Sequence, residues 1–256
     1  MKLLSLNELP EYGCMICLYS GPGEGKSTTI IQTAPDPILY IATEPRNPLI
    51  SVKAANRPGL KIKFARYSNW FDCYDYIKAF RQSDLFAGTA TVAIDSLGFL
   101  MNISLSGEIE DEAFVARDEK EAVAKPIISS AKLSKEGYGG LSSQMTRFMK
   151  LLSYLSEAGK VVIVTCGLKE EPRYDRDLSA GPNLKGLEFP ANFPGFFDYI
   201  GLVTARYNDD GDKLFPPWVR FEGDGSFMCK YTGPRPPEGK KAEGVLDIKK
   251  ILKIKE

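Results

Sequence analysis

Short apolar runs recur along the first two thirds of the chain, and they predict a series of buried strands. The runs cover residues 14–19, 38–42, 61–66, 90–94 and 160–165. Because they are continuously apolar instead of alternating, they are typical of parallel strands covered on both faces. Two segments between them, 69–82 and 141–157, carry apolar side chains at helical spacing, and the second stops at Gly159. This order predicts an α/β fold with a mostly parallel central sheet flanked by helices.

The pattern changes after residue 198, where three further segments are predicted as strands. These segments are 199–205, 218–222 and 227–231. The sequence Gly-Asp-Gly at 223–225 is typical of a tight hairpin turn between the last two. The sheet is therefore expected to end in antiparallel strands.

Two stretches fit neither pattern. Residues 104–140 are charged and lack sustained apolar periodicity, whereas residues 169–197 are rich in proline, glycine and mixed charge. A long insertion between sheet elements is usually either functional or mobile. We predict a core domain over residues 1–235, interrupted by the insertion at 104–140. A C-terminal tail follows at 236–256, and its pattern fits either a strand or a short helix.

The segment SGPGEGKST at 20–28 has the form of a phosphate-binding loop. An apolar strand precedes it and a helix-compatible segment follows it, which is the context that a Walker A loop requires. Glycines let the backbone wrap around a polyphosphate, and the helix N-terminus adds partial positive charge. One position departs from the pattern, because Ser20 replaces the usual first glycine. The residues expected to bind a nucleotide are Gly21, Pro22, Gly23, Glu24, Gly25, Lys26, Ser27 and Thr28.

Four side chains define the chemistry expected at this loop. Lys26 would reach the outer phosphates, and the Ser27 hydroxyl would ligate Mg²⁺. Asp95 ends an apolar strand and suits the Walker B position, where it would hold the metal through its water shell; the alternative is a helix N-cap. Glu44 follows another strand and would activate the attacking water; the alternative is a solvated loop residue.

Composition removes several other classes of chemistry. The 256 residues include no histidine, which excludes histidine-based triads, histidine zinc ligands and a histidine proton shuttle. Lysine plus arginine and aspartate plus glutamate number 33 each, so any contact with nucleic acid must come from a local patch. Cys14 and Cys17 have CxxC spacing but lie within an apolar strand, which indicates core residues in a reducing compartment.

The strings GPGEGKST, YIATE and VAIDS occur in the order found in RecA-like ATPase cores, and the chain resembles that superfamily over roughly residues 12–235. Within it, the chain is most similar to small phage ATP-binding proteins associated with single-strand annealing and recombination. The resemblance implies a RecA-like P-loop NTPase fold with ATP and Mg²⁺ as cofactors. It also implies ATP hydrolysis coupled to single-stranded DNA recombination, annealing or repair. Self-association into a ring or filament is expected, with a DNA-binding protein as a possible further partner.

Two further residues take roles from the resemblance. Thr165 ends the strand at 160–165 and matches a sensor position, while Cys166 stands near the place where the family often has a histidine. Lys230 matches a lysine that reaches the γ-phosphate of a neighbouring subunit. Thr232 stands where the arginine is expected two positions later, so Lys230 is the candidate for action in trans; the alternative is an ordinary exposed strand lysine.

The resemblance places the nucleic-acid path on loops at the carboxyl side of the sheet. The candidates there are four cations and one aromatic side chain that could stack on a base. They are Lys169, Arg173, Tyr174, Arg176 and Lys185. Acidic residues interleave with them, so a merely solvated loop is the alternative.

Two other functions remain open from the sequence. One is a ring helicase or translocase, and the other is a nucleotide-gated adaptor that turns over slowly. The first residues lack the features of a signal peptide, and no apolar run reaches transmembrane length. We therefore expect no membrane association and a location in the cytoplasm, which is the host cytoplasm if the protein is phage-encoded.

Overall fold

The computed structural model describes residues 13–67, 69–109, 133, 135–173, 176–223, 225–232, 243–245 and 247–252. Within these residues the strands, β1 to β10 in chain order, are Cys14–Ser20, Ile38–Ala42, Ile62–Arg66, Thr91–Asp95, Val161–Arg173, Arg176–Pro182, Tyr199–Tyr207, Lys213–Arg220, Lys230–Tyr231 and Glu243–Val245. The α-helices, α1 to α8, are Lys26–Thr33, Leu49–Ala55, Trp70–Phe80, Asp84–Ala87, Leu97–Phe99, Lys135–Glu157, Glu188–Asn192 and Ile248–Ile251. A π-helical stretch at Leu100–Leu105 continues α5, and a 3₁₀ turn at Phe193–Phe196 continues α7.

The strands form one sheet in the order β10-β8-β7-β1-β5-β4-β2-β3. The pairs from β7 to β3 are all parallel, whereas β8 is antiparallel to β7 and β10 is antiparallel to β8. The predicted fold is therefore confirmed: a mostly parallel α/β sheet that ends in antiparallel strands. In this order β5 lies between β1 and β4, so the residues at the carboxyl ends of these three parallel strands are neighbours.

Apolar side chains cover both faces of the sheet, as the continuous apolar runs predict. On one face, α3 and α6 pack together, and the rings of Trp70 and Phe148 lie 4.9 Å apart between their centroids. On the other face, α1 buries Ile30 and Ile31 against the sheet. Burial on both faces explains why β1, β2 and β4 carry no polar alternation.

The predicted hairpin at 223–225 is wrong. β8 and β9 both pair antiparallel with β7, with Arg220 opposite Leu202 and Lys230 opposite Ile200. The two strands therefore follow one line along β7, and the chain between them makes an excursion to β6. There the Ala180 N–H donates to the Ser226 carbonyl at 2.7 Å. The chain that contains Gly223 and Gly225 therefore leaves the line of β8 and returns to it in β9, and β8 and β9 run in the same direction.

Three further segments differ from the sequence prediction. β5 continues to Arg173 and pairs antiparallel with β6, so much of 169–197 is a hairpin. Helix α6 begins at Lys135, inside the segment predicted as an insertion. The tail contributes both a strand and a helix, because β10 pairs with β8 and the buried Ile248 on α8 packs against the α1 face of the sheet. Most of the predicted insertion lies outside the described residues.

Candidate nucleotide-binding site

The predicted phosphate-binding loop connects the carboxyl end of β1 to the first turn of α1. Gly25 is the N-cap residue of α1 and has a φ of +98°, a conformation that side-chain-bearing residues rarely adopt. A Cβ atom on Gly25 would also lie 3.1 Å from the Phe215 ring. A side chain at this position would therefore strain the backbone and would also require the Phe215 ring to shift. The loop borders a cavity of about 370 Å³ at the carboxyl edge of the sheet.

Lys26 is turned toward the start of its own loop. Its ammonium donates to the Ser20 hydroxyl at 2.7 Å and to the Gly21 carbonyl at 3.0 Å. Ser20, which departs from the motif, thus supplies a side-chain oxygen to Lys26 that glycine lacks. Burial lowers the pKa of Lys26, while the carboxylates of Asp95 and Glu44 oppose that shift. The lysine therefore lies in a site where additional negative charge would stabilise its ammonium form.

Asp95 is the centre of a hydrogen-bond cluster beneath the cavity. The residue is 3% exposed, and its carboxylate accepts hydrogen bonds from the Ser27 hydroxyl at 2.6 Å and the Thr165 hydroxyl at 2.5 Å. The Tyr40 hydroxyl and the Arg46 guanidinium also donate to it. The cap of the following helix is Ser96, whose hydroxyl accepts from the backbone N–H of Phe99 at 3.1 Å. Asp95 is therefore not the N-cap of this helix, and that alternative is wrong.

Glu44 lies at the edge of the same cavity and is held by Arg46. The Arg46 Nε atom is 2.8 Å from a Glu44 carboxylate oxygen, and the Arg46 Nη2 atom is 2.6 Å from Asp95 Oδ2. Burial alone would lower the pKa of Arg46, but Asp95 and Glu44 outweigh it and raise the pKa. One guanidinium therefore joins a carboxylate at the end of β4 and a carboxylate in the loop that follows β2.

Sequence reasoning missed Tyr40 and Arg46. Tyr40 is the only polar-tipped side chain in the strand ILYIA, and Arg46 follows Glu44 by two positions, so both were visible in the sequence. Neither position belongs to the phosphate-binding motif, and their shared contact with Asp95 arises only because β2 and β4 are neighbours.

The β7–β8 hairpin covers the outer side of the loop, which was also not foreseen. The Ala205 N–H donates to the Glu24 carboxylate, and the Lys213 ammonium donates to the Gly23 carbonyl. Glu24 therefore anchors the loop to the hairpin. Lys213 adds a second lysine to the border of the cavity.

The oxygens at the site fit a P-loop magnesium site. Mg²⁺ binds hard oxygen ligands and keeps several waters, so the protein needs to supply few ligands when phosphates supply others. The Ser27 hydroxyl and the buried Asp95 carboxylate provide such oxygens side by side. In the described part of the chain, no group of three or more histidine, cysteine, aspartate or glutamate side chains could hold a metal without phosphate.

Thr165 connects the site to the β5–β6 hairpin. The buried Thr165 lies on β5, and the same strand continues past the cavity through Lys169 to Arg173. The backbones of Arg173 and Arg176 pair across the hairpin, but their side chains and all of Tyr174 lie outside the described residues. The ammonium of Lys185 donates to the Ser106 hydroxyl at 2.6 Å, next to the π-helical stretch.

Lys230 lies away from the phosphate-binding loop of its own chain. It pairs with Ile200 in the first half of β7, and its ammonium donates to the Pro194 carbonyl at 3.0 Å. A contact with a neighbouring subunit stays a prediction.

The fold and the site define a P-loop ATPase domain, and comparison with known proteins supports this class. Residues 13–232 match the AAA_24 family, described as an AAA domain, and the chain belongs to this family. The family implies nucleotide binding, usually with Mg²⁺. No curated protein sequence matches the chain.

Solved structures also resemble the chain. One is the flagellar accessory protein FlaH from Methanocaldococcus jannaschii, with 11% identity and a TM-score of 0.45 over 89% of this chain and 82% of that one. Among the described residues, none of the helices is long and apolar enough to cross a membrane.

Proposed function

We propose that the protein is a Mg²⁺-dependent ATPase whose turnover is coupled to single-stranded DNA in recombination, annealing or repair. The observation that carries the ATPase part is the meeting of Lys26, Ser27, Glu44 and Asp95 around one cavity. Lys26 and Ser27 belong to α1, whereas Asp95 ends β4 and Glu44 follows β2. A purely structural loop gives no reason for these side chains to converge. Their types match the requirements of phosphoryl transfer: a cation, a metal ligand, a base and a metal-positioning carboxylate.

Each residue has a distinct role in this proposal. Lys26 and the loop N–H groups stabilise negative charge on the β- and γ-phosphates. Ser27 and Asp95 would hold Mg²⁺, which neutralises charge that develops on the phosphate oxygens. Glu44 orients and deprotonates the attacking water. Thr165 holds one Asp95 oxygen and thereby links the metal site to β5.

The coupling to DNA is supported by the path of β5. Residues 168–173 extend beyond the sheet edge and pair with β6, a length of roughly 20 Å at 3.3 Å per residue. The hairpin is therefore a direct continuation of the strand that carries Thr165. A change at the γ-phosphate can reach the hairpin through this strand, and cations on it can contact a DNA backbone.

A binding titration tests the DNA part. Fluorescent oligothymidylate is titrated at low salt, with and without a non-hydrolysable ATP analogue. We expect binding that the analogue strengthens and that weakens in Arg173→Ala/Arg176→Ala. The matched control is Lys61→Ala/Lys63→Ala, because these exposed lysines lie at or next to β3, on the far edge of the sheet. Absence of strand binding under both conditions would remove the recombination function and favour a nucleotide-gated adaptor.

Self-association is tested separately. If Lys230 completes the site of a neighbouring subunit, ATPase activity per subunit should rise with protein concentration. Lys230→Ala should then lower that activity without weakening ATP binding, because such contacts act in the transition state and are worth about 10³–10⁵ in rate. Constant activity per subunit together with an unaffected variant would refute action in trans. Directional movement along DNA by an assembled ring would instead indicate a helicase or translocase.

A further inference from the structure

The guanidinium of Arg46 occupies the position between the two oxygens that a metal ion would need. Its Nη2 atom lies 2.6 Å from Asp95 Oδ2 and also donates to the Ser27 hydroxyl oxygen. A magnesium ion bound to the Ser27 oxygen at about 2.0–2.1 Å, together with the water through which it would contact Asp95, would require the same space. Two cations cannot share these oxygens at such short distances, because their mutual repulsion is large at a poorly solvated site.

The same guanidinium also restrains the proposed base. The Arg46 Nε atom donates to Glu44 at 2.8 Å while Nη2 serves Asp95. A planar guanidinium can make both contacts at once, whereas a lysine ammonium has no such fork. In this arrangement Glu44 is engaged by a cation and is not free to orient a water molecule.

Arg46 has the freedom to leave this position, and Asp95 does not. The Arg46 side chain is 50% exposed, whereas the Asp95 side chain is 4% exposed and held by donors from three elements. The loop that carries Arg46 is itself anchored, because Arg66 donates to the Pro45 carbonyl at 2.7 Å. A rotation of one side chain can therefore open the site without movement of the backbone.

We propose that Arg46 is a positioning residue that substitutes for the divalent cation, holding the Ser27–Asp95 site and Glu44 until the metal–nucleotide complex displaces it. This inference rests on the proposed function. Once displaced, the guanidinium lies beside the cavity that receives the phosphates, and their negative charge provides a new partner. Release of Glu44 is thereby linked to the arrival of the metal with its nucleotide, and the protein alone has little affinity for the metal.

The linkage has a measurable consequence in binding. Because Arg46 and the metal compete for the same oxygens, removing Arg46 should increase the dependence of nucleotide affinity on Mg²⁺. We define this dependence as the dissociation constant of ADP in EDTA divided by that in MgCl₂, both from isothermal titration calorimetry. ADP is used because hydrolysis then cannot contribute to the signal. Arg46→Ala should raise the ratio by roughly tenfold, the effect of losing about one competing charge-assisted hydrogen bond.

Two variants accompany Arg46→Ala. Arg46→Gln keeps an extended polar stem without the charge, and it should raise the ratio in the same direction even if the alanine variant folds poorly. Arg81→Ala is the control, because Arg81 is exposed and contacts the Tyr154 ring on the α6 side of the sheet. It should leave the ratio unchanged.

The outcomes separate this inference from the proposed function. A raised ratio in both Arg46 variants, with a normal ratio in Arg81→Ala, supports the inference. If wild type and the Arg46 variants bind ADP with the same ratio, the cation-substitute role is refuted and the ATPase proposal stands. If wild type binds neither ADP nor ATP, both are refuted.

Discussion

Replacing Asp95 with asparagine should destabilise the protein slightly and remove most of the magnesium dependence of nucleotide binding. The two side chains have nearly the same shape, so the substitution leaves no cavity. An asparagine oxygen can still accept from Ser27, Tyr40 and Arg46 on the side of Oδ2. Its amide group then faces the Thr165 hydroxyl, which can rotate and accept. The change therefore removes charge while leaving the hydrogen bonds largely satisfied.

The size of the effect follows from the loss of charge. A hydrogen bond to a charged group contributes about 1.5–3 kcal/mol, and a neutral one contributes about 0.5–1.5 kcal/mol. Because the Arg46 side chain is half exposed, water can hydrogen-bond to its guanidinium in the variant and recover part of the lost free energy. We therefore expect the free energy of unfolding to fall by about 1 kcal/mol. For a chain of this length, that corresponds to a decrease of about 2–4 °C in Tm.

The assay combines thermal unfolding with ADP titrations in EDTA and in MgCl₂. The control is Asp36→Asn, which weakens the ion pair between Asp36 and Arg57 at 2.7 Å, far from the metal ligands. Both variants should lose stability, but only Asp95→Asn should lose the magnesium dependence. An Asp95→Asn protein that is as stable as wild type would show that desolvation of the buried carboxylate cancels its contacts. Unchanged magnesium dependence would refute the metal-positioning role.

Three further predictions concern the same site. Glu44→Gln should keep ATP affinity near that of wild type and reduce single-turnover hydrolysis by orders of magnitude, whereas normal turnover would refute its role as the base. Burial lowers the pKa of Lys26, and bound phosphate should raise it again. Between the pKa of the free protein and that of the complex, nucleotide binding takes up protons, so nucleotide affinity should fall as pH rises through the lowered pKa. Calorimetry in buffers of different ionisation enthalpy measures this uptake. Gly25→Ala should lower stability by about 1 kcal/mol or more and weaken nucleotide binding, because its φ is +98° and its Cβ would lie 3.1 Å from Phe215; an unfolding titration that matches wild type would contradict this.

The sequence by itself determined the class of fold and the location of the loop. Continuous apolar runs predict a covered parallel sheet because both faces of each strand must be buried. The loop from Gly21 to Thr28 was predictable because its chemistry is local: glycine, lysine and serine act within one turn. Asp95 and Glu44 could be proposed because each directly follows or ends a predicted strand, and parallel strands end at a common edge.

Contacts between distant segments were decided only by the tertiary structure. Tyr40, Arg46 and Thr165 meet at Asp95 because β4 lies between β2 and β5, and this order of strands is not encoded in any single segment. The Gly-Asp-Gly sequence was misinterpreted for the same reason. Its turn chemistry is local, but whether the chain reverses or returns to the same line depends on the pairing of β8 and β9 with β7. Local sequence patterns determine which residues are able to do chemistry. The pairing of distant strands determines which of these residues meet. The free energy that favours one strand order over another comes from apolar burial across the whole sheet, so it cannot be inferred from one segment.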